Sequence, residues 1–152
     1  ESLKIREKIT LALRLRLEAI GDKEAVRRAA SLFALPRNAS EGAKLIWGTA
    51  DRIWTMLGDS SQDVNWYSKR ATLSAVYGAT LLFWLGDDSP SHENTWVFLD
   101  RRIENVMQVE IAKGRIRANK KLSAALAGPL WLLGKIKAPT LRYDLPGRGP
   151  EA

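Results

Sequence analysis

Cysteine is absent from the 152 residues, and histidine occurs once, as His92. The first absence excludes a disulfide framework, thiolate metal sites, iron–sulfur clusters and cysteine nucleophiles, and it fits a reducing compartment. The second leaves no paired imidazoles for the usual zinc sites. Long apolar runs are also lacking: the longest stretch without a charge, residues 71–86, has 16 residues, short of the roughly 20 that cross a bilayer as a helix. It reads as a buried core helix. Nothing at the N-terminus reads as a signal peptide, and the opening at Glu1 in mid-helix style leads us to expect that an upstream part is missing. Also absent are a Glu-x-x-His pair, a glycine-rich phosphate loop, a Gly-x-Ser-x-Gly elbow and any zinc-ligand spacing. A catalyst is therefore not expected, nor is a metal or cofactor. His92 is expected to be a solvated residue in the first turn of a helix, and Asp87-Asp88 to be turn chemistry.

What is present is unevenly distributed. The chain carries 24 Lys and Arg against 17 Asp and Glu, a net charge of +7, with 45% apolar residues. Residues 1–112 hold 15 basic and 15 acidic side chains, whereas residues 113–152 hold nine basic and two acidic ones. This is a neutral body with a basic tail, a pattern shared by anionic-membrane binders, nucleic-acid binders and merely solvated termini. The lack of a helix with basic residues amid base-reading polar side chains argues against nucleic acid.

Apolar periodicity predicts helices throughout. Ile5, Ile9, Leu13, Leu17 and Ile20 fall at helical spacing over residues 3–20, with Gly21 as the stop and Asp22 as the cap of a second helix over 23–34. After Leu35-Pro36 a third helix starts from Ser40, a capping candidate, and carries the stripe Ala43, Ile46, Trp47, Ala50, Ile53, Trp54 and Leu57. A turn at 58–62 leads to a fourth helix, 63–85, whose later turns have no polar face and predict a spine surrounded by other helices. Ser89-Pro90 restarts the chain, and Trp96, Leu99, Ile103, Val106 and Met107 line a fifth helix to about residue 112. The sixth candidate, about 118–136, places Leu122, Leu126, Leu130 and Leu133 on one side, with Trp131 nearby and lysines at both ends, the pattern of a helix lying in a membrane interface. Docking of that helix on the bundle is the alternative, and residues 138–152 read as a flexible tail. The fold class is all-α, a bundle of about six helices.

Six tryptophans stand out, since an indole fills a small helical core inefficiently and its N–H needs a partner. Trp47, Trp54, Trp84 and Trp96 fall on inward stripes and either fill the core or wall a cavity. The cavity reading predicts an apolar pocket between the third, fourth and fifth helices, lined by Trp47, Trp54, Val76, Tyr77, Thr80, Leu81, Trp84, Phe98 and Ile103. Trp66 and Tyr67 differ, because they stand among charged residues at a helix start. Exposed Trp, Tyr and Arg together are what interface hot spots are made of.

The run Leu35-Pro36, then Gly58-Asp59 with Asp63-x-Asn65-Trp66-Tyr67-x-x-Arg70-Ala71, then Asp88-Ser89-Pro90 with Thr95-Trp96-x-Phe98-Leu99-x-x-Arg102, closely resembles the coenzyme Q biosynthesis accessory proteins, the ninth member of the Coq set. The resemblance covers residues 1–117. It implies a tetracycline-repressor-like ligand-binding fold and homodimer, and a non-catalytic protein that binds an isoprenoid quinone precursor and presents it to the di-iron demethoxyubiquinone hydroxylase. It further implies a hydroxylase-docking patch at Asp63, Trp66 and Tyr67, to which Met56 and Arg70 are added. A membrane-surface helix at 118–137, through Leu122, Leu126, Leu130, Trp131 and Leu133, follows from the same resemblance. The implied place is the inner face of a bacterial cytoplasmic membrane or the matrix side of the mitochondrial inner membrane. The rival reading is the effector domain of a tetracycline-repressor-type regulator, which would use the same aromatic cavity to sense a small ligand.

Overall fold

The computed structural model describes residues 3–118 and 135–139. Among them the chain forms α1 (Ile5–Glu18), α2 (Lys23–Phe33), α3 (Ala39–Met56), α4 (Val64–Leu85), a short 3-10 turn (Pro90–His92) and α5 (Glu93–Ala118), with no strand. The all-α bundle read from periodicity is what the structure shows.

Local chemistry sets most boundaries. Asp22 caps α2 by accepting from the Ala25 N–H at 2.9 Å, and Asp63 caps α4 by accepting from the Asn65 N–H at 2.9 Å, each satisfying one of the free donors at a helix start. The third helix departs from expectation. Ser40 lies inside α3, and the N-cap is Asn38, whose side chain makes no cap bond but donates to the Leu32 carbonyl at 3.1 Å. At its other end α3 closes with a Schellman motif: Gly58 adopts φ +75°, its N–H bonds the Thr55 carbonyl, and the Asp59 N–H bonds the Trp54 carbonyl, both at 3.0 Å. A left-handed residue is required there, and glycine accepts it without a Cβ penalty.

The core gathers Leu13 and Leu17 of α1, Ala50 and Ile53 of α3, Leu73, Val76, Tyr77 and Trp84 of α4, and Leu99 and Ile103 of α5. The α4 helix touches α2, α3 and α5, as a spine should. It is not enclosed on every side, however: Leu82 is 64% and Phe83 39% exposed, with Phe83 stacked on Phe98 at 4.4 Å. The lack of a polar face in the later turns of this helix therefore does not mean burial of all its faces among the described residues. Helix α2 docks through cations, with Lys23 Nζ donating to the Asp87 carbonyl at 2.8 Å and Arg27 Nη2 to the Leu85 carbonyl at 2.6 Å, where the C-terminus of α4 leaves acceptors free. Close approach of α2 to α3 depends on Gly42, since a Cβ there would meet Phe33 Cβ at 2.7 Å.

Two expectations at the α4–α5 corner change. His92 is half-buried with φ +56°, its Nδ1 lies 3.2 Å from the Asp87 carbonyl and its ring stands edge-on to Trp84 at 5.6 Å. It is a packed corner residue and not a solvated one. Asp87 is more than a turn residue: 5% exposed, it accepts from the Ser89 N–H at 3.0 Å, the Thr95 N–H at 2.9 Å and the Thr95 hydroxyl at 2.6 Å. It thereby holds the first turn of α5 from the end of α4. Helix α5 also runs on to Ala118, six residues past the expected end. The predicted membrane residues Leu122, Leu126, Leu130, Trp131 and Leu133 lie outside the described residues, and Ile136, the expected end of that helix, has no regular secondary structure. Among the described residues, no helix is long and apolar enough to cross a membrane.

Candidate functional site: an aromatic platform over an ion cluster

The Schellman motif that ends α3 turns Asp59 back toward the start of α4. Its carboxylate, 2% exposed, accepts from Lys69 Nζ at 2.7 Å, from Arg70 Nη1 at 2.8 Å and from the Ser61 hydroxyl at 2.8 Å. Arg70 Nε in turn bonds Asp51 of α3 at 2.6 Å. Burial alone would push the Asp59 carboxyl up, but the hydrogen bonds from Lys69, Arg70 and Ser61 outweigh it and hold the carboxyl well below the usual carboxylate range.

Aromatic rings stand on this cluster. The Arg70 guanidinium lies 4.0 Å from the Trp66 ring centre and donates to the Trp66 carbonyl at 3.2 Å. Trp66 meets Tyr67 edge-on at 4.8 Å and Trp47 of α3 at 6.0 Å. Lys69 Nζ lies 5.3 Å from the Trp54 ring, whose indole N–H donates to the Lys69 carbonyl at 3.1 Å. Cations against electron-rich faces hold both rings, and the planar guanidinium of Arg70 also fixes the plane of Trp66. Tyr67 is 36% exposed, Met56 at the end of α3 is 76% exposed, and Asp63 is exposed.

The predicted docking residues are thus brought to one end of the α3–α4 pair, with one change of role. Arg70 is 2% exposed, so it contacts no partner directly; its guanidinium supports Trp66. Asp51, Asp59 and Lys69 were missed, and they complete that support.

The nine residues assigned to a lipid pocket divide into groups. Trp47 and Trp54 belong to the platform. Val76, Tyr77, Thr80, Trp84 and Ile103 are buried, and burial pushes the Tyr77 phenol up. Leu81 packs half-buried against the core, and Phe98 lies under Phe83 with the Arg102 guanidinium 5.0 Å from its ring. Two open hollows lie elsewhere. One of about 600 Å³ is lined by Leu82, Phe83, Gly86, Asp87, Asp88, Ser89 and Asn94; the other, about 360 Å³, is lined by Gln108, Ile111, Ala112 and Arg115. The remaining inward indole, Trp96, donates to the Ser91 carbonyl at 2.8 Å and faces the Arg14 guanidinium at 4.8 Å. Among the described residues, no group of three or more His, Asp or Glu is placed to hold a metal ion.

A helical domain whose most organised surface feature is an aromatic platform braced by buried charge has the makings of a binding module. Residues 39–110, which contain the platform, its ion cluster and the α4–α5 corner, match the COQ9 family model. The chain is 40% identical over 106 residues to the probable ubiquinone biosynthesis protein coq9, mitochondrial, of Dictyostelium discoideum, covering 68% of this chain and 34% of that protein. Against the ubiquinone biosynthesis protein COQ9, mitochondrial, it is 39% identical over 103 residues in Xenopus tropicalis, 68% of this chain and 32% of the relative. The human protein of the same name is 40% identical over 82 residues, 54% and 26%. Over this region the chain is similar to the COQ9 family, and it spans about a third of the length of the first two of these relatives.

Proposed function

We propose that this chain is the binding part of a non-catalytic accessory protein in ubiquinone biosynthesis, which takes up an isoprenoid quinone precursor at a membrane and presents it to the di-iron demethoxyubiquinone hydroxylase. The observation that carries the proposal is the Trp66–Tyr67 platform with Met56 beside the same turn, in a chain similar to the COQ9 family. Its contribution to the reaction is positioning: a long-tailed substrate delivered in a fixed orientation reacts as if at a much higher local concentration.

Similarity to the COQ9 family supports the pathway, and the names of the relatives support a mitochondrial setting; the matrix side of the inner membrane is the proposed place within it. The lipid site is proposed at Val76, Tyr77, Thr80, Leu81, Trp84, Phe98 and Ile103, with Trp47 and Trp54 leading from the platform. The exposed residues Leu82, Phe83 and Val97 on α4 and α5 support a homodimer through those helices, since apolar surface left on a helix face seeks a second copy. A membrane-surface helix is proposed within residues 118–134, with the lysines at either end of it serving anionic headgroups.

The test is purification of the chain followed by mass spectrometry of its lipid extract, with parallel measurement of hydroxylase binding by the chain and by Tyr67→Asp. Copurified isoprenoid quinone together with Tyr67-dependent binding is the expected result. Protein free of isoprenoid, with a hydroxylase affinity indifferent to Tyr67, would overturn it. Light scattering reads the dimer, and flotation with anionic vesicles reads the membrane helix.

A further inference from the structure

The platform depends on a loop that is fixed from two directions. On the α3 side, Asp59 is tied to Lys69 and Arg70, and Ser61 is tied to Asp59. On the other side stands Gln62, exposed and directly before the α4 cap Asp63. Its carbonyl accepts a hydrogen bond of 3.1 Å from the backbone N–H of Ala138, far along the chain. The peptide unit that receives this bond also carries the N–H of Asp63, because a peptide group is a single plane. A donor on the Gln62 oxygen therefore sets the direction in which the chain enters α4, and the first turn of α4 carries Trp66 and Tyr67.

The donor is suited to the task. Pro139 follows Ala138, and a residue before proline is driven out of the helical region into extended backbone, which aims its N–H sideways. Residues 136–139 have no regular secondary structure, and Ala138 is half-buried while Ile136, Lys137 and Pro139 are exposed. The segment thus touches the body at Ala138, where its bond is made.

We propose that residues 135–139 brace the docking platform, with Ala138 as a positioning residue that acts through the Gln62–Asp63 peptide on Trp66 and Tyr67. This rests on the reading of the platform as a docking surface. The coupling is reciprocal: what draws the segment away loosens the platform, and what docks on the platform holds the segment in place.

Two substitutions in the full chain test it. Ala138→Pro removes the N–H while keeping an extended backbone, and Ala138→Ser keeps the N–H. Hydrogen exchange read by mass spectrometry over residues 58–66, without any partner, should rise about two- to tenfold in Ala138→Pro, as loss of one backbone bond implies, with α2 unchanged and Ala138→Ser matching the parent. Hydroxylase affinity should weaken by a similar factor in Ala138→Pro alone. Unchanged exchange in Ala138→Pro, an Ala138→Ser variant as loose as the proline one, or a loosened loop with undiminished hydroxylase affinity would each overturn the proposal. If the loop loosens and not even the parent binds hydroxylase, the brace stands and the docking reading fails, so the two are separable.

Discussion

At the α3–α4 turn an aspartate is drawn between two cations, whereas at the α4–α5 corner an aspartate is drawn among backbone and hydroxyl donors. Asp59 meets Lys69 and Arg70; Asp87 meets Ser89 and Thr95. Both carboxylates are buried beside a tryptophan-bearing helix, yet the outcomes differ. The cations around Asp59 have spare donors and charge to share with a ring face, so Arg70 continues outward into Asp51 and Trp66 and Lys69 into Trp54. The donors around Asp87 are consumed in closing a helix start, and Trp84 beside them, 4% exposed, is sealed by Lys23 and His92. An acid neutralised by cations can carry a surface, while an acid neutralised by backbone donors closes a joint.

The comparison is broken most severely at Arg70. Arg70→Ala strands Asp59 without one of its buried partners and should cost about 3 kcal/mol of stability, the scale for splitting a buried pair, as read by urea unfolding. Tyr67→Asp should do the reverse, leaving the urea midpoint nearly unchanged while weakening the hydroxylase complex by about 2 kcal/mol, measured by titration calorimetry; a shifted midpoint would show that this ring is structural. Gly58→Ala forces a Cβ into a left-handed turn and should cost about 1 kcal/mol, with a matching loss of exchange protection at Asp59 and Ser61.

The smallest effect on docking is expected from Asp87→Asn. Hydrogen bonds from Ser89 and Thr95 hold the Asp87 carboxyl well below the usual range, as those from Lys69, Arg70 and Ser61 do for Asp59. A depressed folded pKa contributes stability that is fully present above the unfolded value, about pH 4, and is lost as pH falls below it. Asp87→Asn should flatten the acid limb of a pH-dependent melting curve without altering hydroxylase affinity near neutrality. Asp59→Asn should flatten the same limb and weaken docking as well.

Much of this contrast lay within reach of the sequence, though not all of it was seen. Asp22 was legible as a cap because the donor it serves is three residues away, whereas Asp63, expected as the first residue of the fourth helix, caps it by the same local rule. The Ser40 expectation failed because Asn38 and the carbonyls before it already form the turn. Asp87 serves Thr95 across a corner, through residues Ser91 and His92 that both have positive φ, and no local rule announces that reach. Arg70 was readable in hindsight: it falls on the stripe Trp66, Leu73, Tyr77, Thr80 and Trp84, so a helix facing the core had to bury it. Its partners Asp51 and Asp59 come from α3 and from the turn that follows it, and pairing across elements is what periodicity does not contain. The excess of tryptophan was read as core filling or a cavity wall, and no periodicity announced that four of the six indoles also face cations, Trp54 with Lys69, Trp66 with Arg70, Trp84 with Lys23 and Trp96 with Arg14.

The bond between Ala138 and Gln62 also bears on the order in which the molecule assembles. Helices α1 to α5 are joined by short connections, and contacts of low sequence separation form early because little loop entropy is lost in making them. The Ala138 contact closes a loop that contains all of α4 and α5, so it should form late in folding and open early in unfolding. On a ribosome it cannot form until Ala138 itself has emerged. The platform's last fixing point is therefore supplied only after both helices that flank it have been made, and a chain cut short before Ala138 would fold its body and still present a loosened aromatic face.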